Sequence, residues 1–155
     1  MANTTFSGPV RSEGGFTSVS KSSTTGAFTT LSSISSTGDI IGVNGTALVC
    51  HIGQITAAQN GTILTGSMEC FEAPAGGDPD INIHSATEST GVEDGAISGL
   101  SETLLVNSGD ATLGSKVFFS AVPAADEFLY LTTGAATDAD YTAGKLFIEL
   151  MGYAA

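Results

Sequence analysis

The sequence predicts an all-β protein: a compact antiparallel β-sandwich or barrel-like domain over residues 37–155, preceded by an extended N-terminal arm over residues 1–36. Three observations lead there. Glycine, serine and threonine supply 58 of the 155 residues, the composition of a chain with many turns. From residue 39 onward, short apolar runs alternate with turn residues at the spacing of a sandwich or barrel, and no window of a dozen residues carries a helical stripe. Charge is also divided unevenly along the chain, which gives the N-terminal part a character of its own.

The length suits one domain able to bury a core of its own. With 41% hydrophobic residues the chain is too apolar for a disordered acidic tail. Sixteen acidic residues against four basic ones leave a formal charge of −12. Such a surface cannot neutralise a phosphate backbone or an anionic lipid headgroup layer, so nucleic acid and membrane are excluded as expected partners. The longest apolar stretches, such as residues 117–125, fall well short of the ~20 residues of a transmembrane helix. The opening MANTTFSGPV has neither a basic n-region nor an apolar h-region. Synthesis in a cytoplasm as a soluble protein is therefore expected.

Residues 1–36 contain seventeen Ser or Thr and three charges, Arg11, Glu13 and Lys21, for a net +1. Residues 37–155 carry fifteen acids with Lys116 and Lys145, a net −13. In the N-terminal part Phe6, Val10, Phe16, Val19 and Phe28 stand apart from one another, punctuated by Gly8-Pro9 and Gly14-Gly15, without the alternation of a core strand. Five apolar side chains do not offset the backbone entropy of ordering such a segment. An ordered arm must also pair its backbone with a strand edge, its own or a neighbour's.

In the body, Asn44-Gly45 between residues 39–43 and 46–50 predicts a hairpin with a type I′ turn, since Asn-Gly supplies positive φ at both central positions. Asn60-Gly61 predicts a second, between residues 51–59 and 62–71. Further strands are expected at 81–87, 102–107, 116–122, 127–133 and 144–153. Residues 122–127, with Pro123 near the start, suit a single helical turn or a loop equally.

Few side chains in this sequence carry chemistry. The second hairpin would set Cys50 opposite Phe71 and Cys70 opposite His51, placing the two sulfurs on opposite faces, so two buried thiols are expected rather than a disulfide. His51 beside Cys70 is half of a zinc site, but no CxxC or HxxxH accompanies it. His84 is expected to cap or line a strand surface. Asp78-Pro79-Asp80 and Asp138-Ala139-Asp140 resemble fragments of calcium loops; Ala143 stands where such a loop needs Gly, and turn carboxylates are the expected reading. There is no GxSxG elbow, P-loop or GxGxxG, so no enzyme, metal or cofactor is expected.

The opening Thr5-Phe-Ser-Gly-Pro-Val-Arg-Ser-Glu-Gly-Gly-Phe16, with the Ser/Thr-rich run behind it, resembles the N-termini of small virion proteins of tailed, especially marine, bacteriophages. The ending Tyr141-Thr-Ala-Gly-Lys-Leu-Phe-Ile-Glu-Leu150 is similar to theirs as well. The two segments make up about a fifth of the chain. The resemblance implies a head decoration, or cement, protein: a homotrimer on the capsid exterior whose arm extends sheets of the major capsid protein. Phe6, Pro9, Val10, Arg11, Phe16 and Lys21 are then the expected capsid-binding residues. Alternatives in the same reading are a tail, fibre or minor capsid protein; a secreted carbohydrate-binding or adhesive sandwich module is the alternative from another class.

Overall fold

The structure, a computed structural model, describes residues 19–21, 28–30, 38–42, 50–134 and 141–154. By packing, the chain divides into two compact units, Met1–Ser33 and Ile34–Ala155. In the first, β1 (Val19–Lys21) pairs antiparallel with β2 (Phe28–Thr30), Ser20 opposite Thr29. Phe6, Pro9, Val10, Arg11 and Phe16 lie outside the described residues, while Lys21 ends β1 opposite Phe28.

The second unit is all-β, as expected, and consists of two antiparallel sheets. One has four strands in the order β3 (Gly53–Gln54), β8 (Phe128–Thr133), β5 (Asp80–Ala86) and β6 (Glu102–Asp110). The other has three, β7 (Lys116–Phe118), β4 (Thr62–Ala75) and β9 (Ala143–Tyr153). Helical structure among the described residues amounts to one turn, α1 (Ala57–Asn60), and a short 3₁₀ segment at Ile97–Gly99. No helix there is long and apolar enough to cross a membrane.

Met68 and Cys70 of β4 and Leu146, Ile148 and Leu150 of β9 pack against Ile81 and Ile83 of β5, Leu105 and Val106 of β6 and Leu129 of β8. The two sheets thus share one core, each fully buried Leu or Ile contributing roughly 1.5–3 kcal/mol. The chain itself closes one seam. Past β7 the Phe119 amide donates to the Gly66 carbonyl in one sheet, and the Ser120 amide donates to the Leu105 carbonyl in the other. This early change of sheet is why the strand expected over 116–122 stops at Phe118. Gly66 is required at the crossing, because a Cβ there would lie 2.7 Å from both the Phe119 ring and the Glu149 carbonyl oxygen.

The outer face of the four-stranded sheet is also covered. Ile40, Ala86, Ile97 and Tyr130 form a second buried cluster, with Cys50, Leu100 and Phe128 packed on it. The Tyr130 hydroxyl donates to the Glu88 carbonyl and accepts from the Gly91 amide, tying residues 88–91 over the sheet.

Of the two expected Asn-Gly hairpins, the structure bears on the flanks of the first and corrects the second. The tip of the first, residues 43–49, lies outside the described residues. Its flanks bond elsewhere: Ile40 to Gly95 and Asp94, Ile41 to Leu131, and Cys50 to Gly91. At the second, Thr56 caps α1, its hydroxyl accepting from the Gln59 amide, while the Asn60 side chain accepts from the Thr56 amide. Gly61 ends that turn with φ 62° instead of forming a hairpin loop. Residues 53–54 pair with β8, and β4 finds β9 and β7 as partners. Residues 122–127 form a loop in which the Ala124 amide donates to the Glu127 carboxylate and Asp126 takes φ 67°.

Candidate functional site

The side chains with chemical potential are mostly absorbed by packing. His84 sits on β5 opposite Tyr130 and is completely buried, so the strand surface it was expected to line is a covered one. Its Nδ1 lies 3.1 Å from the Thr132 hydroxyl and its Nε2 has no partner. Burial pushes its pKa down to about 4, and the ring is held neutral. His51 is half-buried against the Phe128 ring, 4.9 Å between centroids, and lies edge-on to Tyr130 at 6.2 Å.

The expected pairing of His51 with Cys70 falls with the hairpin that implied it. Cys70 is a buried free thiol in the main core whose Sγ lies 3.3 Å from the Glu72 carbonyl oxygen. Cys50 is half-buried and belongs to the second cluster. The two sulfurs are therefore assigned to different clusters, on opposite faces of the four-stranded sheet.

Asp78 acts as a turn carboxylate, accepting from the Asp80 amide at 2.9 Å. Burial and then the neighbouring charges of Asp78 and Asp110 raise the Asp80 pKa. The Tyr141 hydroxyl donates to the Asp78 carbonyl at 2.6 Å, and burial, then the charges of Asp78 and Asp80, push its pKa up to about 12. Asp138 and Asp140 lie outside the described residues. Among the described residues no group of three or more His, Cys, Asp or Glu could hold a metal ion.

Exposed chemistry gathers instead on the outer face of the three-stranded sheet. Alternation along β9 turns Leu146, Ile148 and Leu150 into the core and leaves Lys145, Phe147, Glu149 and Met151 outside. The register sets Glu69 of β4 beside Phe147 on one side and Lys116 of β7 on the other. Phe71, Phe118 and Phe147 are all about half exposed or more, at 55%, 62% and 47%. The Phe71 and Phe147 rings stack, 5.7 Å apart and tilted by 8°. Lys116 Nζ reaches Glu69 at 3.5 Å and Glu149 at 3.6 Å, and stands 5.9 Å from the centre of the Phe118 ring. Lys145 pairs with Glu72.

Both bases of residues 37–155 thus lie on this one face. Three carboxylates and two ammonium groups nearly balance there, in a body that is otherwise strongly acidic.

This face ends in an edge. Cys70 exchanges hydrogen bonds with Ser115 and Gly114, and Gly66 accepts from Phe119, so the even-numbered residues of central β4 direct their backbone groups away from β9. Ser67 and Glu69 must then bond to Glu149 and Phe147. It follows that Leu146, Ile148 and Leu150 point their amides and carbonyls away from β4, where β9 has no further strand among the described residues. An apolar cavity of about 320 Å³ lies inside the same edge, lined by Leu146, Ile148, Ile81, Leu131, Ile41 and Ile52 among others.

Sequence reasoning located strand β9 but missed the face. Its signal was the alternation Lys145, Phe147, Glu149, Met151, read together with Lys116 and Phe118. No protein-family model, curated protein or solved structure matches the chain.

Proposed function

We propose that the chain is a non-enzymatic structural protein of a virion, a decoration protein that binds the outside of a phage head and stabilises the shell. One observation carries this reading. The chain divides into a Ser/Thr-rich N-terminal segment of net +1 and a β body of net −13, whose exposed phenylalanines among the described residues, Phe71, Phe118 and Phe147, gather on one sheet face. That is the make-up of a molecule that acts by contact, through one end and one face. The burial of His84 and Cys70 and the use of Asp78 as a turn carboxylate are consistent with it.

In this reading the N-terminal segment grips the major capsid protein by adding a strand to one of its sheets. Phe6, Val10 and Phe16 supply apolar anchors, Pro9 fixes the local direction of the backbone, and Arg11 and Lys21 supply charge complementarity. Several arms engaging neighbouring capsomers at once multiply weak individual contacts into a durable staple. Nucleic acid and membrane play no part, and the protein sits on the capsid exterior after synthesis in the host cytoplasm.

The test is deletion of residues 2–16. The truncated chain should remain folded by circular dichroism and lose its binding to expanded heads in a co-sedimentation assay. Undiminished binding contradicts the arm's role.

The exposed Phe71, Phe118 and Phe147 also favour a second reading, an adhesive module that stacks sugar rings on aromatic side chains. It predicts retention on polysaccharide columns that is lost in Phe118→Ala, whereas the decoration reading predicts no retention.

A further inference from the structure

The geometry points to a specific occupant for the edge of β9, which has no further strand among the described residues: the same strand of a second copy, paired antiparallel about a two-fold axis at Phe147. This inference does not depend on the virion reading.

Residue parity restricts the possible registers. Leu146, Ile148 and Leu150 offer the outward backbone groups, so in any pairing they must oppose one another to form the ladder. They also face inward, so the same condition keeps apolar side chains opposite apolar ones. Two-fold pairing centred on Phe147 sets Leu146 opposite Ile148 of the second copy and Gly144 opposite Leu150. On the outer face it sets Lys145 opposite Glu149, twice by symmetry, with the two Phe147 side chains meeting at the axis in a non-hydrogen-bonded pair, where side chains approach most closely.

Neighbouring registers are worse. Shifting the centre to Ile148 places Lys145 against Met151 and Phe147 against Glu149. Centring on Glu149 sets two carboxylates face to face.

Electrostatics select the same place. Two bodies of net −13 repel wherever their carboxylates meet, and this face holds both lysines of residues 37–155. Lys145 already pairs with Glu72 and Glu149 with Lys116, so pairing would link Glu72, Lys145, Glu149 and Lys116 into one network across the axis. The edge also lacks the usual protection against such pairing. β9 is eleven residues long, contains no proline and carries no inward-pointing charge. Leu146 and Ile148 line the apolar cavity, whose wall the second copy extends. The result is an isologous dimer with a continuous six-stranded sheet, in place of the threefold assembly that the resemblance implies.

Charge variants test the register directly. By native mass measurement at micromolar concentration, the full chain should run at twice its 15.5 kDa mass. Lys145→Glu and Glu149→Lys, each alone, oppose like charges across the axis and should run as single chains. Mixed in equal amounts they restore both ion pairs and should return to twice the single mass. As a check independent of ion pairing, Phe147→Cys should cross-link into a dimer under oxidised glutathione, and Met151→Cys should not. A chain that stays single, a trimer, single variants that keep assembling, or equal cross-linking at both positions would each overturn the two-fold pairing.

Discussion

The two sheets of the body differ in how many of their faces are covered. In the four-stranded sheet β5 is buried from Ile81 through Ala86 without a break, because the shared core lies on one side and residues 88–100 lie on the other. The three-stranded sheet packs one face on the shared core, and along β9 the core-facing Leu146, Ile148 and Leu150 alternate with Phe147 and Glu149, of which Phe147 is exposed and Glu149 half-buried. A strand that reads as continuously buried marks a sheet sealed on both sides, while one that alternates marks a sheet with a free face. Chemistry-bearing residues of the sealed sheet, His84 and Tyr130 among them, serve packing. The three-stranded sheet differs: among the described residues its outer face carries exposed Phe71, Phe118 and Phe147, and β9 has no further strand on its far side.

Substitutions should separate the two sheets by size of effect. Leu105→Ala opens a cavity in the sealed layer and should cost about 2–5 kcal/mol in urea unfolding.

The next effect is one of pH. The His84 pKa in the folded protein, about 4, lies below its ordinary 6.5, so the unfolded chain takes up the proton first. Its stabilising contribution is therefore complete above pH 6.5 and is lost as pH falls toward 4, amounting to about 3 kcal/mol. Asp80 acts in the opposite sense, since its raised pKa makes its contribution grow as pH falls. Urea midpoints measured across this window should fall in the native chain and change less in His84→Gln.

Gly91→Ala strikes the cover over the sealed sheet. The new Cβ would lie 2.5 Å from the Tyr130 ring and 2.7 Å from Ile40, and relief of that crowding should cost about 1–3 kcal/mol. At the small end, Lys116→Gln removes two exposed ion pairs and should change stability by less than about 1 kcal/mol. A large loss there would mean that the free face is structural after all.

Much of the fold was legible because its strands announce themselves locally. β5, β6, β8 and β9 are runs of Ile, Leu, Val, Phe and Thr bounded by turn residues, and the observed bounds lie within one to three residues of those expected. Partners were not legible. Asn60-Gly61 has the sequence of a hairpin turn, but Thr56 and Asn60 cap a helical turn there, and β4 pairs with a strand some eighty residues away. Such pairing rests on the shared core and leaves no local mark. The burial of His84 was hidden for the same reason, since it depends on the pairing of β5 with Tyr130 and Thr132 of β8, nearly fifty residues away. The exposed aromatic and charged face needed the register to bring Lys116, Glu69 and Phe147 side by side.

Amide hydrogen exchange along β9 tests the central claim, that this edge is open in the single chain and is the place where copies meet. In dilute solution the amides of Leu146, Ile148 and Leu150 should exchange quickly while those of Phe147 and Glu149, bonded to β4, stay protected. On concentration the first three should become protected as well. Protection of all five amides that is already complete in dilute solution, or fast exchange of the first three that concentration leaves unchanged, would contradict the account.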